Sequence, residues 1–188
     1  MSALLKVSRA IDVFNGWIGR LIFWLVLLMI LVGVYNATVR YLGGFIGHNL
    51  SSNAYLELQW YFFGAIFMLG ASYALQKNAH VRVDIIYARF SPKGRAWIDL
   101  IGTLVFLLPF SILVFWLSLH WVEFSWRIHE TSSNPGGLPR YPIKTVVPVA
   151  FVLLILQGVS QIIKAVAVIR GLIPDMFPEE NDTKEPNL

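Results

Sequence analysis

Four long apolar runs separated by short polar segments set the pattern of this chain. They lie at about residues 21–39, 58–75, 97–121 and 146–169, the third interrupted by Pro109. A helix crossing a hydrocarbon layer about 30 Å thick needs about 20 mostly apolar residues at about 1.5 Å each. No run carries Lys, Arg, Asp or Glu near its centre, where a charge is costly to insert. The pattern predicts an all-α integral membrane protein with four transmembrane helices, in one membrane domain over residues 1–172. A polar, acidic tail follows at 173–188. The first run is longer than the apolar core of a secretory signal, and its end, Tyr35-Asn36-Ala37-Thr38-Val39, has no small-x-small cleavage site, so it reads as retained. Before it, Leu4, Val7, Ile11 and Phe14 recur at helical spacing, with Lys6, Asp12 and Asn15 on other faces. That spacing fits an amphipathic helix lying on the membrane surface as well as it fits an extension of the first span.

Charge orients the bundle. Eleven Lys and Arg fall in the N-terminal segment, the second loop and the C-terminal end, against four in the first and third loops. Positive residues in short loops stay inside, so both termini are expected in the cytoplasm. This distribution also accounts for the net charge of +4 without a nucleic-acid partner.

With 56% hydrophobic and 14% charged residues the chain is too apolar for a soluble domain of its length and too rich in aromatics to be disordered. It has no cysteine, which excludes disulfides, thiol chemistry and thiolate-bound metals. The polar segments are too short to form an ATP-hydrolysing or other catalytic domain.

A haem held between membrane helices would need two histidines facing one iron. His80 falls at the cytoplasmic end of the second span, and His48, His120 and His129 fall at or beyond the outer face, so none sits at mid-depth. Glu57, just ahead of Trp60 and Tyr61, and Asp99, at the start of the third span, are placed at the membrane interface. The fourth span carries a polar stripe, Gln157, Ser160, Gln161 and Lys164, at positions i, i+3, i+4 and i+7. Amides facing lipid are costly, so the stripe should face protein, either the chain's own bundle or a second subunit. With Glu57, these residues are the candidates for a partner interface.

The stretch Glu57-Leu58-Gln59-Trp60-Tyr61-Phe62-Phe63-Gly64-Ala65, then Gly70-Ala71-Ser72-Tyr73-Ala74-Leu75, then His80-Val81-Arg82-Val83-Asp84, resembles the small membrane subunit (Q subunit, DctQ-like small permease) of tripartite ATP-independent periplasmic (TRAP) transporters. The segment Asn134-Pro135-Gly136-Gly137-Leu138-Pro139-Arg140-Tyr141-Pro142-Ile143-Lys144 is similar to the branch labelled for mannitol or chloroaromatic compounds. The resemblance implies a non-catalytic scaffold in the bacterial inner membrane, part of a sodium-coupled importer of an organic acid. Its implied partners are a large membrane subunit (M), a periplasmic substrate-binding protein (P) and phospholipid. It implies no cofactor in this chain, the sodium ions belonging to the large subunit. His80, Arg82 and Asp84 become the cytoplasmic signature, and Arg127, Arg140 and Lys144 the cations on which the binding protein would dock. The alternative from a different class is a haem- or quinone-binding anchor of a redox complex.

Overall fold

The computed structural model describes residues 1–48, 51–79, 87, 89–174 and 176. Four of its helices are long and apolar enough to cross a membrane: α1 (Ser2–Ile46), α2 (Asn53–Gln76), α3 (Pro92–Arg127) and α4 (Tyr141–Ile169). Each predicted span is present inside a longer helix. The polar residues that close an apolar run include good helix formers such as Arg, Lys and Gln, which carry the helix past the hydrophobic boundary. The starts of α2 and α3 are capped: Ser52 Oγ accepts from the Ala54 N–H at 3.2 Å, and Ser91, followed by Pro92, accepts from the Gly94 N–H at 3.3 Å.

The 45 residues of α1 reach about 65 Å, roughly twice the hydrocarbon thickness, so α1 extends well beyond the first predicted span. Its first turns are not a separate surface helix with the apolar face turned to a partner layer. Leu4, Val7 and Phe14 remain about half exposed, whereas Ser8 and Asn15 are buried. The polar face is the inward one, because α4 supplies hydrogen-bonding partners for it.

Pro109 leaves its mark on α3. Residues Thr103–Leu107 form a π turn in which the Leu108 N–H donates to the Thr103 carbonyl. A proline has no N–H for the carbonyl four residues earlier and its ring crowds that oxygen; widening the preceding turn relieves the crowding.

The centre of the fold is α4, which packs against the other three helices, while α1 also packs along α2. α1 and α4 run antiparallel, Ser8 facing Ser160 and Asn15 facing Gln157 across their seam. α2 and α3 stand apart across an apolar groove of about 850 Å³, walled by Ala71 and Leu75 on one side and Phe106 and Phe110 on the other. The buried positions of α4 are mostly small or polar, including Ala150, Gln157, Gly158, Ser160, Gln161 and Ala165. Large side chains point outward instead, Trp24, Phe106 and Trp116 among them. In lipid this distribution is the stable one, since the exterior is as apolar as leucine and helices gain by close approach and interhelical hydrogen bonds.

Close approach is sharpest at Gly19, where a Cβ would lie 2.5 Å from the Tyr73 ring on α2. Gly19→Leu is therefore expected to cost about 1–3 kcal/mol through forced separation of α1 and α2. Thermal unfolding in detergent should show the loss, and Gly16→Leu, where a Cβ meets open space, should leave the midpoint unchanged.

Candidate functional site

Two constructions use most of the polar side chains between the helices, one near each end of the bundle. At the end that carries the N-terminus, α1 presents Ser8, Asp12 and Asn15 at helical spacing, and α4 presents Gln157, Ser160 and Lys164 opposite them. Lys164 Nζ lies 2.5 Å from Asp12 Oδ2. The other carboxylate oxygen, Oδ1, accepts from Ser160 Oγ at 2.9 Å and Gln157 Nε2 at 3.1 Å. Asn15 Nδ2 donates to Gln157 Oε1 at 2.6 Å. Ser8 and Ser160 hydroxyls lie 2.7 Å apart; with the Ser160 proton given to Asp12, Ser8 is the donor between them.

The other helices join the same network. Gln76 Nε2 of α2 donates to the Asp12 carbonyl at 2.8 Å, and Gln161 Nε2 donates to the Leu75 carbonyl near the end of α2 at 3.2 Å. Thr103, in the π turn of α3, donates to Gln161 Oε1 at 3.4 Å. One acid and one base neutralise each other, and the amides and hydroxyls link all four helices. What this arrangement can do is fasten: interhelical hydrogen bonds in membranes average about 0.6 kcal/mol each, so their sum fixes how the helices sit.

The stripe is thereby placed in the chain's own core. Of the two alternatives left open for it, the chain's own bundle takes up Gln157, Ser160 and Gln161, which are buried, and Lys164 reaches Asp12. A fully buried amide has no surface left to offer a second subunit. The residues that sequence reasoning missed are Ser8, Asp12 and Asn15; their signal was a polar spacing of four and three, complementary to that of α4.

The second construction centres on Glu57, in the second turn of α2, which is 2% exposed. Its carboxylate takes three donors from the segment between α3 and α4: the Ser132 hydroxyl, Asn134 Nδ2 at 2.9 Å and the Leu138 N–H at 2.6 Å. Gly137 is required, because a Cβ there would sit 2.5 Å from Ser132 Cβ and 2.6 Å from Glu57 Oε2. Further anchors come from α2: Tyr61 donates to the Pro139 carbonyl at 3.1 Å and Asn53 Nδ2 to the Pro135 carbonyl at 3.0 Å. Within the segment, Thr131 and Pro139 form an isolated antiparallel bridge, and the Arg140 N–H donates to the Glu130 carbonyl at 2.8 Å. Glu57, like the stripe, is turned into the chain's own structure and not toward a partner.

The expected docking cations are largely spoken for. Lys144 pairs with Glu130, and its ammonium stands 4.4 Å from the centre of the Trp121 ring. Arg127 pairs with Glu123 at 2.6 Å, one helical turn away and exposed. Arg140 is partly buried, with its charge bearing on both Glu57 and Glu130. His80, Arg82 and Asp84, the expected cytoplasmic signature, lie outside the described residues.

The Lys144 hydrogen bond, helped by the Ser125 hydroxyl at 2.7 Å, holds the Glu130 carboxyl below the usual glutamate range. A lowered folded-state pKa stabilises above the unfolded value, about 4.3, and the contribution is lost as pH falls through the lower folded value. Hydrogen exchange at the Arg140 amide is therefore expected to be slow at neutral pH, after correction for intrinsic rates, and to accelerate once acidification passes the ordinary glutamate range. Glu130→Gln, which cannot form the ion pair, should show the faster exchange already at neutral pH.

Residues 7–168 match the family described as tripartite ATP-independent periplasmic transporters, DctQ component. The chain belongs to the DctQ family. Both constructions, from Ser8 to Lys164 and from Glu57 to Arg140, fall inside the matched residues. A DctQ protein is a subunit of a transporter and not an enzyme, which sets aside the redox anchor. No curated protein and no solved structure matches the chain.

Proposed function

We propose that this DctQ chain is the static scaffold of a sodium-coupled, binding-protein-dependent importer of an organic acid in the bacterial inner membrane. Its termini lie in the cytoplasm, and it works with a large membrane subunit that carries solute and sodium and with a soluble periplasmic binding protein. The observation that carries this reading is the network around Asp12. The polar side chains of the fourth span bond to other helices of the same chain, locking the four together, while large apolar side chains cover the outside. An element with a fastened interior and a wide apolar exterior suits a fixed support against which a mobile partner moves. The excess of Lys and Arg at the end bearing the termini supports the orientation.

Reconstitution tests it. Proteoliposomes holding this chain alone should accumulate none of a panel of radiolabelled carboxylates under an inward sodium gradient. Adding the large subunit and the binding protein should give uptake that collapses when sodium is replaced by potassium. Accumulation by the isolated chain would overturn the scaffold role.

A further inference from the structure

We propose that the groove between α2 and α3 is a binding site for one anionic phospholipid of the cytoplasmic leaflet, an acyl chain lying along Phe106 and Phe110 and the phosphate drawn to the cations around its mouth. The choice of leaflet rests on the orientation given above; the shape and chemistry of the groove do not.

The groove exists because both of its walls are tied to α4 and not to each other. Gln161 donates to the Leu75 carbonyl near the end of α2 and accepts from Thr103 in the π turn of α3. At Gly158, α4 approaches α3 so closely that a Cβ would lie 2.8 Å from Leu107. These contacts set the distance between the walls. From Ile98 to Phe110 the α3 wall runs about 18 Å, close to the roughly 15 Å that one leaflet contributes to the hydrocarbon layer. The deep lining is apolar, with Ala71 and Leu75 from α2, Phe106 and Phe110 from α3 and Leu154 from α4, and the polar atoms of Thr103 and Gln161 are engaged in the bonds just named. Spread over that length, a volume of about 850 Å³ gives a mean cross-section of about 50 Å², less than the roughly 80 Å² of a helix about 10 Å across. A helix of another subunit is too thick to enter, whereas an extended acyl chain is not. Wall atoms gain dispersion contacts only from something that fills the space between them.

The mouth is polar and basic. Tyr87 donates to Asp99 Oδ2 at 2.6 Å, and the Arg95 guanidinium lies 5.5 Å from the centre of the Tyr87 ring while Nε donates to the Phe90 carbonyl at 3.1 Å. Tyr87, Phe90 and Asp99 all line the groove, so these contacts place the Arg95 charge at its entrance. From residue 87 to residue 99 the sequence carries Arg89, Lys93 and Arg95 against the single carboxylate of Asp99, which the Tyr87 hydroxyl engages. Trp97, about half exposed, belongs to the same turns, and indoles favour headgroup depth. A net positive entrance over an apolar slot one leaflet deep matches a molecule with phosphate at one end and hydrocarbon at the other.

Native mass spectrometry tests this on the delipidated chain and on its complex with the large subunit, each incubated with phosphatidylglycerol or with phosphatidylcholine of the same chains. Both preparations should retain one phosphatidylglycerol, with half-saturation at least about fivefold below that for phosphatidylcholine. Gly102 lines the groove and a Cβ there meets open space, so Gly102→Leu fills the slot without a clash. It should weaken retention at least about tenfold while the thermal midpoint of the delipidated chain does not fall, since leucine is the better helix former. Gly64→Leu, equally open but outside the lining, should retain lipid as the wild type does. Lys93→Gln with Arg95→Gln should abolish the preference for phosphatidylglycerol, each charge being worth about fivefold. Retention unaltered by Gly102→Leu, equal retention of the two lipids by the wild type, or release of the lipid when the large subunit binds would overturn the proposal and leave the scaffold reading standing. Failure of the large subunit to associate would strike the scaffold reading instead, and the lipid measurements on the chain alone would still decide the proposal.

Discussion

Replacing Lys164 by methionine is expected to destabilise the isolated chain by about 2–3 kcal/mol, seen as a lower thermal midpoint in detergent. The Asp12 and Lys164 side chains are 20% and 17% exposed, so the effect belongs at or below the lower end of the range for breaking a buried ion pair. The loss comes less from the missing attraction than from the carboxylate left behind. Asp12 would keep Ser160 and Gln157 as donors but lose the only positive charge paired with it among the described residues. Asp12→Asn should cost a similar amount by stranding the ammonium. The double change Asp12→Asn with Lys164→Met should recover most of either loss, because no unpaired charge remains and the Gln157 and Ser160 bonds can still reach the asparagine oxygen. Single variants within about 0.5 kcal/mol of wild type would mean that solvent already screens the pair. The coupling read from the double variant separates an interaction across the α1–α4 seam from two unrelated local effects.

The four spans were legible in the apolar runs because a bilayer demands about 20 apolar residues and little else in these sequences meets that demand. Helix ends were not. Nothing in hydropathy says that α1 starts at Ser2 or that α3 runs on to Arg127, since helix propensity continues where hydrophobicity stops. The surface-helix alternative for Leu4, Val7, Ile11 and Phe14 followed a rule for soluble and interfacial helices, in which the apolar face is the one that is covered. In lipid the rule inverts, and the buried face is Ser8 and Asn15. The polar stripe of α4 was correctly expected to face protein, but its partner was hidden until Asp12 could be placed 148 and 152 positions away from Ser160 and Lys164 in sequence. Glu57 is the same problem in another form. Its donors come 75–81 residues later in a segment with no periodicity, and a hydroxyl, an amide and a backbone N–H leave no pattern to find. The cations at 127 and 144 were visible, yet their pairing with Glu123 and Glu130 depends on geometry: an i,i+4 pair in one case and a fourteen-residue loop closure in the other.

Gln157→Leu sharpens the distinction between a core fastening and a partner contact. The side chain is fully buried, accepts from Asn15 and donates to Asp12, so an apolar replacement removes two bonds and orphans the Asn15 amide. With interhelical bonds averaging about 0.6 kcal/mol and an unsatisfied buried group costing about 1–3 kcal/mol, the expected loss is about 2 kcal/mol. The decisive feature is where that loss appears. It should be measurable on the chain alone, as a lower thermal midpoint, and it should shrink when Asn15→Leu is added, because the orphaned donor is gone and the two leucines pack against each other across the seam. Recovery of the large subunit during purification should fall only as far as the small subunit's own stability falls. If the isolated chain kept its wild-type midpoint while losing the large subunit, Gln157 would have to reach outward, and the α1–α4 seam would be an interface between proteins and not within one.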